Sequence, residues 1–273
     1  IGVLVLPGIG RTALAVEGFQ VERFHAAPPT GTFTLVRDAS ESTSPGWSAA
    51  AFLSHADHPL QVERADRRID GIIDSTTTLE AVTATSREGW TVHIAVPVTL
   101  HQSVRDSAAR QAVLPGDVAT SGLNDVRFGV AHGGEFPGGF SLAGFGVASL
   151  PTGDASSLMG ADGPTTETGV ALAVRLGGYA LGTSGAYLSR PGGAVGEEIA
   201  LAAGIARRTS QPLGASLEVV GFVPLSGEEP AGAEILATAN WRRRVRIGAA
   251  IGFGDAVGVP RYRVVAGCSF GRR

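Results

Sequence analysis

The chain has 273 residues, of which 44% are hydrophobic and 17% are charged, and its formal net charge is -3. This length is sufficient for one large domain, and the lack of a basic excess argues against nucleic-acid binding. No segment contains the roughly 20 consecutive apolar residues that a membrane-spanning helix needs, which excludes a helical membrane protein.

The first fifteen residues resemble a secretory signal. An apolar run from Ile1 to Ile9 precedes Arg11 and the triplet Ala13-Leu14-Ala15, which has the small-x-small form of a signal-peptidase site. An ordinary buried strand is the alternative interpretation. The predicted organisation is a signal-peptide remnant over 1–15, a periplasmic or lumen-plugging segment over 16–45, and a transmembrane β-barrel over 46–271.

The barrel prediction depends on a period-two alternation of side chains, which is typical of β-strands. Between Trp90 and Leu100, aliphatic residues alternate with small or polar ones, and the closing hairpin from Val245 to Arg273 shows the same pattern. The second face carries small and charged residues instead of another hydrophobic set. Such strands suit a barrel with a polar lumen and a lipid-facing exterior. About twelve strands are predicted, with the weaker ones at 47–56, 70–85, 140–150 and 179–189.

The connections between these strands alternate in length along the chain. Short connections lie between longer ones, as in an up-and-down meander with short periplasmic turns and longer external loops. Because the bilayer core contains no water, the sheet must close, which favours an even number of strands. The short connections are predicted around 86–89, 133–139, 177–178, 207–211 and 242–244, and the longer ones at 57–69, 102–122, 151–167, 190–197, 226–232 and 254–260.

Aromatic residues cluster at the strand ends, as expected where a barrel crosses the two membrane interfaces. The alternative is that they cap strands of a soluble β protein. Tyr187, Phe253 and Tyr262 fall at the ends near the longer loops. The predicted girdle near the short turns consists of Trp47, Trp90, Phe140, Tyr179, Trp241 and Phe270.

Charged residues on the inward faces are the candidate functional residues. Opposite charges on neighbouring strands allow pairing, which either plugs the interior or lines a weakly selective channel. Twelve strands lie between eight-stranded barrels, which side chains fill, and sixteen-stranded porins, which conduct. Both alternatives therefore stay open. The predicted lumen-facing residues are Asp125, Arg127, Arg175, Glu198, Glu218, Glu234, Arg246 and Arg263.

Catalytic and metal sites are not predicted. His93 and His101 lie eight residues apart, about 26 Å along a strand, so they cannot act on one substrate. His55 and His58 near Asp57 form a cluster, but we assign it to a solvent-exposed loop. Glycine-rich strings precede no helix, so no cofactor site is expected.

Four stretches of the chain form recurrent motifs. They are Val21-Glu22-Arg23-Phe24-His25-Ala26-Ala27-Pro28, Gly122-Leu123-Asn124-Asp125-Val126-Arg127-Phe128-Gly129, Leu150-Pro151-Thr152-Gly153-Asp154 and the closing strand. These motifs resemble the amino-terminal barrel of the outer-membrane protein A family of myxobacteria-like Gram-negative bacteria. In that family a peptidoglycan-binding domain often follows the barrel, so a peptidoglycan link is expected only if such a domain exists. The aromatic Phe270 resembles the signal that the barrel assembly machinery recognises.

The predicted function is that of a structural or passive-diffusion, porin-like protein of the cell outer membrane. It would be no enzyme and would need no cofactor or metal. Its partners would be outer-membrane lipid and, during insertion, the barrel assembly machinery, with both chain ends periplasmic. The alternative is a soluble or surface-attached β-structured module that binds a ligand through the loops at 102–122 and 151–167.

Overall fold

The chain forms a sheet of long strands in which apolar and polar positions alternate. The computed structural model describes residues 3–5, 23–29, 31–39, 45–63, 69–106, 117–190, 196–207, 212–225, 230–242, 244–254 and 258–272. The strands are β1 (Val3–Val5), β2 (Gly46–Glu63), β3 (Ile69–Arg87), β4 (Trp90–Val104), β5 (Gly122–Leu123), β6 (Val126–Phe136), β7 (Phe140–Leu150), β8 (Thr165–Leu176), β9 (Tyr179–Ser189), β10 (Glu198–Arg207), β11 (Leu213–Pro224), β12 (Gly232–Trp241), β13 (Val245–Gly254) and β14 (Tyr262–Arg272).

Twelve of these strands close into an antiparallel barrel. Each long strand pairs with the next along the chain, and β14 pairs with β2 from Tyr262↔Asp57 to Arg272↔Trp47. The two-residue strand β5 pairs with β4 alone, so β6 is the next wall strand after β4. The predicted fold, an up-and-down barrel of about twelve strands, is confirmed. The described residues contain no helix long and apolar enough to span a bilayer.

The strands point their large apolar side chains outward. On β13, Ile247 and Ile251 are 60% and 59% exposed, whereas the alternating Arg246 and Ala250 are buried. A water-soluble barrel would place its aliphatic residues inside. This inverted arrangement therefore requires hydrocarbon around the barrel.

The two rims differ as the connection lengths predict. Short turns join β3 to β4, β6 to β7, β8 to β9, β10 to β11 and β12 to β13, and Glu88 and Gly89 adopt positive φ values of 51° and 84° in the first of them. Longer connections occupy the opposite rim. We call the two ends the short-turn rim and the long-loop rim.

The predicted loop at 57–69 is wrong, because β2 and β3 extend and leave 64–68 between them. The register between these strands shifts after Asp57, and His58 there has a φ of 48°. Such a β-bulge shifts the alternation of side chains by one position. The period-two signal is therefore interrupted although the strand continues.

The first and last strands lie at opposite rims. Strand β1 pairs in parallel with Gln61–Glu63, at the long-loop rim, while β14 ends beside Trp47 at the short-turn rim. The periplasmic location of both chain ends stays a prediction. Of the predicted signal remnant 1–15, the remaining residues lie outside the described part of the chain.

Two matched substitutions on β11 test the orientation of the wall. Leu213 and Leu217 both face outward, at the short-turn rim and near mid-strand respectively. We expect Leu217→Arg to lower the free energy of unfolding by about 2 to 4 kcal/mol, and Leu213→Arg by about 0 to 1 kcal/mol, because the cost of a lipid-facing charge depends on depth. Denaturant unfolding in lipid vesicles, followed by tryptophan fluorescence, measures both values. Equal losses would contradict a bilayer centred on the barrel.

Candidate functional site in the barrel lumen

Residues 23–29 and 31–39 lie inside the barrel, and we call them the interior segment. Phe24, Phe33, Val36 and Ala39 are at most 3% exposed. The backbone N–H of Ala27 donates to the carbonyl of Thr34, so the segment folds back on itself. The described part of the predicted segment 16–45 therefore occupies the lumen.

Phe33 packs against the wall at two paired glycines, one on β9 and one on β10. A Cβ built on Gly182 or Gly204 would come within 2.6 or 2.9 Å of the Phe33 ring, closer than real contacts allow. Ala180 and Ala206 belong to the same buried cluster. These small residues make a recess for the phenyl ring.

Two charged wall residues bind the backbone of the interior segment. The Glu218 carboxylate accepts hydrogen bonds from the N–H groups of Thr34, Leu35 and Val36 at 2.9, 2.6 and 3.1 Å. Arg246 donates to the carbonyls of Gly31 and Phe33 at 2.9 and 2.6 Å. Each charge-assisted bond of this kind contributes about 1.5 to 3 kcal/mol. This pair holds the turn of the segment in place.

Two arginines of the segment pair with wall carboxylates. Arg23 donates to Glu198 at 2.9 Å, and Arg190 also donates to this carboxylate. Arg37 lies 3.3 Å from Glu167. The guanidinium groups of Arg23 and Arg37 also lie 4.7 and 4.6 Å from the ring centroids of Phe222 and Phe145. Both arginines therefore have an ionic and an aromatic partner on the wall.

Further ion pairs join wall strands directly. Arg127 on β6 donates to Glu80 on β3 at 2.6 Å, across the lumen side of β4. Arg263 on β14 donates to Glu234 on β12 at 2.8 Å. These pairs are almost fully buried, so removing one partner would leave an uncompensated charge in a region of low dielectric constant.

Seven of the eight predicted lumen residues are buried, and the eighth, Arg175, is partly exposed. Arg175 lies at the short-turn rim with a side chain 35% exposed, 3.1 Å from Glu135. The buried seven are Asp125, Arg127, Glu198, Glu218, Glu234, Arg246 and Arg263.

Sequence analysis missed most of the partners of these residues. Glu80 and Glu167 occupy inward positions of β3 and β8, so alternation along those strands was a usable signal. Arg23 and Arg37 lie in a segment without strand periodicity, so nothing in the local pattern identifies them.

Part of the chain folds inward at the long-loop rim. Asp125 accepts hydrogen bonds from the N–H groups of Gly153 and Ala161 at 3.0 and 2.8 Å. Burial raises the pKa of the Asp125 carboxyl, and these backbone donors oppose the rise. Leu158 and Met159 between them are buried. The 151–164 connection thus packs against Asp125 at the inner edge of this rim.

A small hollow remains between the interior segment and the wall near this rim. Its volume is about 50 Å³, enough for a few water molecules. It is lined by Arg23, His25, Asp125, Arg127, Glu167 and Arg190, among others.

The predicted histidine cluster lies on a strand. His55 and His58 lie on β2 instead of in the expected loop. On this strand His55 contacts Thr77, and His58 contacts Asp57 and Asp74. Within the described ranges, no group of three or more His, Cys, Asp or Glu residues is placed to hold a metal ion.

The predicted aromatic girdle lies on the outer surface at the short-turn rim. Its side chains face away from the lumen and are 39% to 60% exposed. Trp90 also stacks on His132 with 4.3 Å between ring centroids. The six residues are Trp47, Trp90, Phe140, Tyr179, Trp241 and Phe270.

No family model and no curated protein matches the chain, so the resemblance to the outer-membrane protein A family stays a prediction. Among solved structures, an outer membrane channel from Pseudomonas putida F1 matches with a TM-score of 0.60 and 14% identity, over 84% of this chain and 96% of the channel. KdgM porin matches with a TM-score of 0.51 and 7% identity, over 82% and 99% of the two chains. NanC porin matches with a TM-score of 0.51 and 8% identity, over 82% and 98%. At these identities the likeness shows the fold, which is the outer-membrane β-barrel of channels and porins.

Proposed function

We propose that the protein is a porin-like barrel of the outer membrane whose lumen is closed by the interior segment. Solutes would pass only when this segment leaves its position. The closed state is supported by one observation above all: Glu218 and Arg246 bind the backbone of the segment inside the lumen. Outer-membrane lipid and the barrel assembly machinery are the proposed partners.

The contacts of the segment favour a displaceable plug over a permanent part of the wall. The wall strands bind each other through continuous backbone ladders and through their own ion pairs, Arg127–Glu80 and Arg263–Glu234. The segment adds no described strand to the barrel interior and is held by side-chain contacts. Its release would therefore leave the closed sheet intact.

A permanently filled structural barrel is the second candidate. The recess at Gly182 and Gly204 favours it, because the tight fit of Phe33 stabilises one position of the segment. The two candidates differ in what happens when this fit is lost. A structural barrel would stay closed, whereas a plugged pore would open.

Phe33→Ala tests this difference without changing any charge. Removing a buried phenyl ring costs about 3 to 5 kcal/mol, so we expect the segment to leave the lumen more often. Planar bilayer recordings of the full chain should show little steady conductance for the original protein and frequent open events for the variant.

Phe128→Ala is the matched control, because Phe128 is an outward-facing phenylalanine on β6. It should leave the conductance at the original level. A steady open pore in the original protein would overturn the proposed closure, and a Phe33→Ala variant that inserts but stays closed would favour the structural barrel.

Extraction from membranes tests the barrel against a soluble binding module. The outward apolar band predicts that detergent is needed to release the protein. Moving apolar surface into water raises the free energy by about 25 cal/mol for each Å². The folded barrel should also migrate differently on gels before and after heating. Recovery in the aqueous fraction without detergent would contradict a membrane location.

A further inference from the structure

We propose that the pore opened by departure of the interior segment is selective for cations. This inference rests on the proposed function, because it concerns the lumen after the segment has moved. Wall and segment carry charges of opposite sign where they meet, and departure of the segment changes the balance in the lumen.

The inward faces of the wall strands carry more carboxylates than guanidinium groups. Asp125 and Arg190, which line the hollow near the long-loop rim, add one negative and one positive charge. They therefore leave the excess of carboxylates over guanidinium groups unchanged. Among the described strand residues, the carboxylates buried in the lumen are Glu80, Glu198, Glu218 and Glu234, and the buried arginines are Arg127, Arg246 and Arg263. Glu167 adds a fifth inward carboxylate, whose side chain is 21% exposed.

The surplus is concentrated on one side of the barrel. Glu80 and Glu234 are paired with Arg127 and Arg263, and both ion pairs join one wall strand to another. The segment contacts the second pair through the ring of Phe24, 5.5 Å from the Arg263 guanidinium group. The other three carboxylates lie on β8, β10 and β11, which form one continuous part of the wall together with β9. They are Glu167, Glu198 and Glu218.

The interior segment supplies the positive groups that these three carboxylates contact. Arg37 reaches Glu167, Arg23 reaches Glu198, and three successive N–H groups reach Glu218. Segment and wall are thus electrostatically complementary. When the segment leaves, its two guanidinium groups and its N–H donors leave with it. The carboxylate of Asp38, which accepts from the N–H of Thr32 within the segment, leaves as well.

The vacated wall then attracts mobile cations. Arg190 stays beside Glu198 and Arg246 stays on β13, whereas Glu167 and Glu218 lose the contacts that the segment gave them. Rings of acidic side chains in narrow pores favour cations, and the low dielectric constant of the barrel strengthens the effect. The solutes that fit best are small inorganic cations and amine or guanidinium compounds.

The test uses the Phe33→Ala protein in a planar bilayer that separates two KCl concentrations. We expect the reversal potential to shift from zero toward the equilibrium potential of K⁺. Glu167→Gln and Glu218→Gln, each added to Phe33→Ala, should move it back toward zero because each removes one wall charge.

Glu88→Gln in the same background is the control, since Glu88 is highly exposed in the turn between β3 and β4. It should not move the reversal potential. A Phe33→Ala pore that prefers Cl⁻, or shows no preference, would overturn the inference and leave the proposed plug standing.

The remaining outcomes would overturn the plug and the selectivity together. Equal conductance of the original protein and Phe33→Ala would overturn the plug, and with it the basis of the selectivity argument. A Phe33→Ala protein that is folded, as shown by heat-dependent gel migration, but never conducts would overturn both.

Discussion

Pairing of every backbone donor and acceptor without help from water is the constraint on which this structure depends. In hydrocarbon an unpaired edge strand is too costly, so β14 must return to β2 and close the sheet. Twelve strands close in this way and enclose a lumen of intermediate width. Such a lumen is too wide for wall side chains alone to fill, and the interior segment occupies the difference.

The filling of the lumen explains the composition of the inward faces. Small residues lie where the segment packs closely against the wall, as Gly182 and Gly204 do beside Phe33. Charged residues lie where they can form hydrogen bonds with backbone groups of the segment, as Glu218 and Arg246 do with residues 31–36. The same charges would be costly on the lipid-facing side, where large aliphatic residues predominate. The two faces therefore follow from two different surroundings.

Alternation was enough to predict the barrel, because each strand repeats one physical pattern over ten or more residues. It failed near His58, where a bulge shifts the parity inside a continuous strand. It also gave no information about Arg23 and Arg37, because an irregular segment has no period. Their contacts with Glu198 and Glu167 join residues more than a hundred positions apart, and such pairs need coordinates.

Closure of the lumen and its ionic preference depend on the same contacts. A cation that binds near Glu167 or Glu198 competes with the guanidinium group of Arg37 or Arg23 for the same carboxylate. By thermodynamic linkage, any ligand that favours the vacated wall also weakens docking of the segment, and by an equal free energy. The two guanidinium groups of the segment occupy the carboxylates that mobile cations would bind, so the solutes best suited to the open lumen are also those best suited to displace it.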